Sequence, residues 1–330
     1  MRQPLIVTTQ RVFAETRKML ASHGRLWSPE EEEGVGRGLL IDLAREAEAL
    51  MVFMPDRIDE GFLSQCGRLQ IVSCALKGCD NIDVAACTRR GIWVTIVPDL
   101  LSAPTADLAV GLLLVLTRKI LEGDRFVRTG CFRGWRPRFY GAGLEGKTAG
   151  IVGFGGVGRR IAHRLKAFGM QRVCFDPIAL DPGMLAELGV EQVRFEALLH
   201  ASDVILVAAP LSPASRHLFD RQALARMKPG AFLVNVGRGS VVDEEAVSEA
   251  LQNGQLGGYA ADVFEMEDLS LPDRPASIPS ALLSDSSRTV FTPHLGSAVA
   301  ETRRAIEAAA AANIIDVLQG RRPRDAVNRP

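Results

Sequence analysis

The stretch Gly153-Phe-Gly155-Gly156-Val157-Gly158 constrains the fold of this chain more than any other. With 31 glycines among 330 residues, a bare G-x-G-x-x-G spacing has little meaning. Its setting gives it meaning. An apolar run over 148–152 precedes it, a helical pattern over 157–168 follows, and Asp176 closes the next apolar run at 172–175. Glycine then permits the turn, lets backbone approach a ligand and lets helix pack on strand. The rest of the chain repeats the same alternation of short apolar bursts and helix-period segments, the pattern of a parallel α/β sheet.

Two series of bursts are legible. Runs at 5–8, 49–53, 71–74 and 93–95 predict a first sheet of four strands, and runs at 148–152, 172–175, 204–208, 231–235, 258–261 and 289–292 predict a second of six. Helices are predicted over 195–200, 244–253 and 301–318, the last rich in alanine. A single long helix is predicted over 105–129, with Ser102 as its N-cap, Pro104 in the first turn and Gly130 as its stop. The predicted fold class is therefore α/β, with two doubly wound parallel-sheet domains. Crossings near Pro98 and Pro293 divide the chain into 1–98, 99–292 and 293–330, the middle part being the nucleotide domain.

Composition narrows the function. Apolar residues make up 47% and charged residues 24%, which disfavours disorder. Lysine plus arginine equals aspartate plus glutamate at 39 each, so no global field points to nucleic acid or an anionic membrane. The longest apolar stretch, 108–116, falls short of the roughly 20 residues a spanning helix needs. The six cysteines lie in no Cys-x-x-Cys pair, so neither metal nor disulfide is expected, and the chain reads as cytoplasmic.

The glycine turn and the helix behind it suit the pyrophosphate of a dinucleotide. Asp176 is placed to hydrogen-bond ribose hydroxyls and to repel a 2′-phosphate, which favours NAD over NADP. Downstream come three further motifs, Asn235-Val-Gly-Arg238-Gly-Ser-Val-Val-Asp243, Asp262-Val-Phe-Glu-Met-Glu267 and Thr292-Pro-His294-Leu-Gly-Ser297. A guanidinium can hold an anion bidentately, and an imidazole paired with a carboxylate can move a proton. Arg238, Glu267 and His294 are thus the candidate catalytic residues, with Glu265 and Asp268 as rival partners for His294. The other histidines, His23, His163, His200 and His217, read as surface or helix residues.

On 153–158, Asp176, Arg238-Gly, 262–267 and Pro293-His294 the chain resembles the D-2-hydroxyacid dehydrogenase family over nearly its whole length. The resemblance implies a Rossmann NAD domain inserted in a flavodoxin-like substrate domain, and a homodimer formed by the long helix after Asp99. It also implies NAD contacts from Gly153, Gly155, Gly156, Val157, Gly158 and Asp176, and from Thr105, Ala208, Ala209, Pro210, Val236 and Asp262.

Other stretches, 53–56, 75–81, 97–101, 134–140 and 258–267, resemble the phosphite-oxidising (phosphonate) dehydrogenases within that family, although Gly237 stands where those enzymes carry cysteine. That resemblance implies phosphite as substrate, water as nucleophile and hydride transfer to NAD. A compact oxyanion with up to two charges suits a second cation, which Lys77 would supply, with a backbone donor at Gly78. Arg303 would add a third positive charge. Met54, Leu101, Trp135, Tyr140 and Ser297 would complete the pocket. Either His294 removes the water's proton, or it stays protonated and orients phosphite while Arg303 or the substrate assists. Two alternatives stand beside this reading. One is a D-2-hydroxyacid dehydrogenase whose Lys77 serves a phosphorylated or dicarboxylate substrate, and the other is an NAD-sensing binding protein.

Overall fold

The computed structural model describes residues 3–31 and 34–330. The chain divides into two compact units, Met1–Leu101 with Val299–Pro330, and Ser102–Ala298.

In the first unit, strands β1 (Leu5–Thr8), β2 (Arg25–Trp27), β3 (Ala49–Val52), β4 (Ile71–Cys74) and β5 (Trp93–Thr95) pair in parallel in the order β2-β1-β3-β4-β5. This is the doubly wound order of flavodoxin-like sheets. β1, β3 and β4 are buried along their whole length, which is why they read as unbroken apolar runs. β2 was missed because it has three residues and begins on exposed Arg25. Leu20, Ile306, Ala310 and Ile314 of helices Ala14–Ala21 and Ala300–Leu318 cover one face beside Ile6 and Met51. Leu40, Phe62 and Cys87 cover the other.

The second unit contains β6 (Thr148–Val152), β7 (Gln171–Phe175), β8 (Glu191–Gln192), β9 (Val204–Val207), β10 (Ala231–Asn235), β11 (Leu256–Ala261) and β12 (Thr289–Phe291). They form one parallel sheet in the order β12-β11-β10-β9-β6-β7-β8. The sheet order reverses between β6 and β9, the switch point at which doubly wound sheets bind dinucleotides. β8, two residues long, left no periodic signal in the sequence.

The helix expected over 105–129 is two helices, Ser102–Thr117 and Ile120–Arg128. Lys119 between them takes a left-handed backbone, φ 53°. The Ala142 N–H donates to the Thr117 carbonyl at 2.8 Å, and a Cβ on Gly141 would come within 2.2 Å of that carbonyl. The chain returning at 141–142 therefore satisfies the end of the first helix, a contact that local periodicity cannot reveal. Ser102 is the first helical residue, not the cap. Among the described residues no helix is long and apolar enough to cross a membrane.

Unit limits also differ from the expected crossings. They fall at 101/102 and 298/299, so His294 stays with the second unit rather than returning to the first. The reason is local. The Asp262 carboxylate, at the end of β11, accepts the Thr292 hydroxyl and Leu295 N–H on Oδ1, both at 2.6 Å, and the Gly296 N–H on Oδ2 at 2.8 Å.

Candidate active site

In the second unit most of the sequence-predicted groups of the site leave a strand at its C-terminal end, or follow shortly after, whereas Thr105 lies in the helix Ser102–Thr117 and Tyr140 in the segment before β6. The glycine turn follows β6, Asp176 follows β7, 208–210 follow β9, Arg238 follows β10, Asp262 and Glu267 follow β11, and His294 follows β12. A parallel sheet points all its strand ends the same way, and this collects residues far apart in sequence along one edge.

The glycine turn has the geometry its sequence implied. Gly153 has φ 86°, and a Cβ there would lie 2.7 Å from Ala209 backbone. A Cβ on Gly158 would meet the Gly153 carbonyl oxygen at 2.1 Å. Gly155 is different, because the space a Cβ would take there is open. It is also the N-cap of helix Gly156–Lys166, whose first N–H groups point out of the turn, so backbone donors and room for a pyrophosphate coincide. Asp176 Oδ2 accepts the Phe154 N–H at 2.9 Å, tying the carboxylate to the glycine turn. Ala209, Val236 and Thr105 are buried, and the Thr105 hydroxyl donates to the Gly296 carbonyl at 3.1 Å.

The loop bearing Arg238 is built by buried Asn235. Its Nδ2 donates to the Arg238 carbonyl at 2.9 Å and its Oδ1 accepts the Gly237 N–H at 3.1 Å. Arg238 is half-buried and donates through Nη1 to the Gly237 carbonyl at 2.9 Å. A Cβ at Gly237 would come within 2.5 Å of the Ala209 carbonyl oxygen, so this backbone has no room for cysteine at that position.

His294 Nδ1 lies 2.7 Å from Glu267 Oε2. An ionised carboxylate only accepts, so Nδ1 carries the hydrogen and Nε2 is left to exchange a proton with a ligand. Glu267 Oε1 accepts the Phe264 N–H at 2.8 Å, so both carboxylate oxygens are used. The rivals are committed elsewhere: Asp268 Oδ2 accepts the Ser240 N–H at 2.7 Å, and Glu265 Oε2 faces His217 Nε2 at 2.7 Å. His217, expected as a surface or helix residue, is partly exposed, and its pairing with Glu265 is what the sequence did not show. No local motif marks it; only the fold brings it to Glu265. His294 itself has φ 57°, held by its N–H bonds to the Asp262 and Thr292 carbonyls. Burial pushes the Asp262 carboxyl up, against the bonds it accepts from 292–296.

The first unit gathers its candidates in the same way. Met54 follows β3, Lys77 and Gly78 follow β4, and Leu101 ends the segment after β5. Asp56, buried in the loop after β3, accepts the Phe53 N–H at 2.6 Å and the Thr9 hydroxyl. Burial raises its pKa to about 6. Lys77 Nζ is 2.9 Å from Asp99 Oδ1, with the two side chains 40% and 39% exposed. An ion pair so open to solvent contributes little and can yield to an anion. Arg303 lies over the Phe53 ring at 5.5 Å and donates weakly to the Ala75 carbonyl at 3.4 Å. Burial pushes its pKa down, with Glu307 opposing. Trp135 and Tyr140, expected as pocket walls, are 78% and 75% exposed in an irregular segment of the second unit, and Ser297 is half-buried beside Gly296.

A doubly wound sheet of the dinucleotide-binding kind, with an arginine and a histidine–carboxylate pair at its strand ends, is the arrangement of a nicotinamide-dependent dehydrogenase. Comparison with known proteins gives the family. Residues 110–296 match the NAD-binding domain of D-isomer specific 2-hydroxyacid dehydrogenases. Glyoxylate reductase of Aeropyrum pernix is 38% identical over 100% of this chain and 97% of its own, and that of Thermococcus litoralis 36% over 99% and 97%. A crystal structure of a Thermus thermophilus protein superposes with a TM-score of 0.89 at 32% identity, covering 98% of this chain and 100% of the other. The chain belongs to the D-isomer specific 2-hydroxyacid dehydrogenase family, and its cofactor is NAD.

Proposed function

We propose that this protein is an NAD-dependent 2-hydroxyacid dehydrogenase that interconverts a small 2-oxo acid and its 2-hydroxy acid, with glyoxylate as the reading its relatives favour. The observation that carries the proposal is the His294–Glu267 pair at 2.7 Å, on the same sheet edge as Arg238. In the proposed reaction Arg238 grips the substrate carboxylate. His294 Nε2 delivers a proton to the carbonyl oxygen during reduction and takes it back during oxidation. Glu267 holds the imidazole in the tautomer that this needs. The bound nicotinamide would supply the hydride as NADH in reduction and accept it as NAD in oxidation.

Phosphite oxidation is the second reading, and one observation favours it. Lys77 and Arg303 bring two cations to the loop after β4, more charge than a monocarboxylate requires. In that reaction water forms a P–O bond, hydride leaves the broken P–H bond for NAD, and His294 takes a proton from the water. The names of the relatives and the absence of room for cysteine at Gly237 weigh against it.

One assay separates the two. NADH absorbance is followed with glyoxylate plus NADH, and with phosphite plus NAD. Glyoxylate-dependent NADH loss with no phosphite turnover is the expected result. Efficient phosphite turnover, with glyoxylate inert, would replace the first reading by the second. In that event Lys77→Ala should raise KM for phosphite roughly tenfold or more, the effect of losing a charged hydrogen bond.

We also propose a homodimer. Among the described residues, seven of the thirteen large exposed hydrophobic side chains, Ile120, Leu121, Val127, Phe132, Trp135, Phe139 and Tyr140, lie within residues 120–140. Apolar surface concentrated in this way favours association. Light scattering should give twice the chain mass, and Val127→Glu should shift the protein toward monomer. A monomeric wild type at micromolar concentration would refute the dimer.

A further inference from the structure

The turn that carries Glu267 holds a second histidine–carboxylate pair. His217 and Glu265 meet at 2.7 Å, two residues before the Glu267 that faces His294. Both histidines have positive φ, 48° and 57°, which a residue with a Cβ adopts only when its surroundings impose it. Behind Glu265 stands Glu244, the first residue of helix Glu244–Gln252 and only 1% exposed. The Glu244 N–H donates to Glu265 Oε1 and the Glu265 N–H donates to Glu244 Oε1, each at 3.0 Å.

This reciprocal clasp joins the helix start to a three-residue turn, Glu265–Glu267. So short a 3-10 turn is a weak frame for aiming a side chain; within it Glu267 has only the Phe264 N–H, and further support comes from outside. Glu244 Oε2 is buried and has no hydrogen-bond partner, so a charge on this carboxyl would be costly. Burial, with the neighbouring charges of Glu265, Glu267 and Asp268, pushes Glu244 up to about 8. Near neutrality Glu244 therefore keeps its proton. Arg216 and Asp273 lie near that histidine, Tyr259 lies near Glu244, and Arg238 near Asp268.

We propose that Glu244, acting through Glu265 and its partner His217, is a positioning residue that fixes the turn aiming Glu267 at His294. The proposal rests on the reading above only in taking the His294–Glu267 pair as the proton-moving group. None of the three residues is assigned a contact with substrate.

The test is the ring ¹⁵N spectrum of His294, recorded without substrate on the full chain and on Glu244→Gln, Glu244→Ala and His217→Ala. Wild type should show one fixed tautomer with hydrogen on Nδ1. Glu244→Gln should match it, because an amide replaces the protonated carboxyl and its oxygen still accepts the Glu265 N–H. Glu244→Ala should move the shifts toward tautomer averaging. It should also lower kcat roughly tenfold with KM nearly unchanged, the scale of one lost hydrogen bond. A folded Glu244→Ala protein with wild-type His294 shifts overturns the proposal. If that variant does not fold, unchanged shifts in His217→Ala overturn it. Inactivity of the wild type toward both substrates would sink the functional reading alone, since the spectra need no turnover.

Discussion

Replacing His294 by alanine should lower kcat by about 10²–10⁴-fold, the usual contribution of a positioned acid or base. Binding of NADH should survive, because the glycine turn of 153–158 makes no use of His294. Glu267→Gln is the more informative partner experiment. Both Glu267 oxygens accept, one from Phe264 N–H and one from His294 Nδ1–H. Glutamine has a single acceptor oxygen, so either its NH2 faces the Phe264 N–H, or it faces Nδ1 and drives the imidazole into the other tautomer. A fall of roughly 10- to 100-fold in kcat follows from losing one charge-assisted hydrogen bond. Steady-state kinetics checks both variants, with NADH affinity measured by fluorescence. A His294→Ala enzyme within a few-fold of wild type would remove His294 from the chemistry.

Gly239→Ala should be nearly as damaging, although Gly239 does no chemistry. Its Cβ would fall 1.9 Å from the Phe264 carbonyl carbon and 2.2 Å from the Glu265 nitrogen. These are backbone atoms of the turn that carries Glu267, and they cannot rotate away. The methyl has to push the Arg238 loop and the Glu267 turn apart, breaking the Ser240–Asp268 bond at 2.7 Å and the clasp between Glu244 and Glu265. Overpacking costs about 1–3 kcal/mol in a core that can adjust, and backbone adjusts less than side chains do. We expect kcat/KM to fall at least about 100-fold with a lowered Tm and near-normal NADH affinity, since misplacing catalytic groups by about 1 Å has this effect. Wild-type activity in Gly239→Ala would mean that the two loops are not held in the register described.

Much of the second unit was legible from residue order. A glycine turn between a strand and a helix has few structural alternatives, and fully buried parallel strands declare themselves as apolar runs. β9, buried throughout, and β6 and β10, each buried at all but one residue, were recognised for that reason, while β2 and β8, short and partly exposed, were not. The break at Lys119 escaped because its cause is the returning chain at 141–142.

The site shows the same division. Residue type and order alone selected Arg238, His294 and a carboxylate partner within 265–268, because few side chains can grip an anion or relay a proton. Sequence could not choose among Glu265, Glu267 and Asp268, which lie within four positions of one another. Tertiary structure chose, giving Glu267 to His294, Glu265 to His217 and Asp268 to the Ser240 amide. It also set Lys77 against Asp99 and drew Glu244 into contact with the Glu267 turn. The physical reason is reach: a motif is a local pattern, whereas a hydrogen bond spans about 3 Å between residues that may be tens of positions apart. Chemistry was therefore written in the order of residues, and partnership was settled only when the strand ends came together.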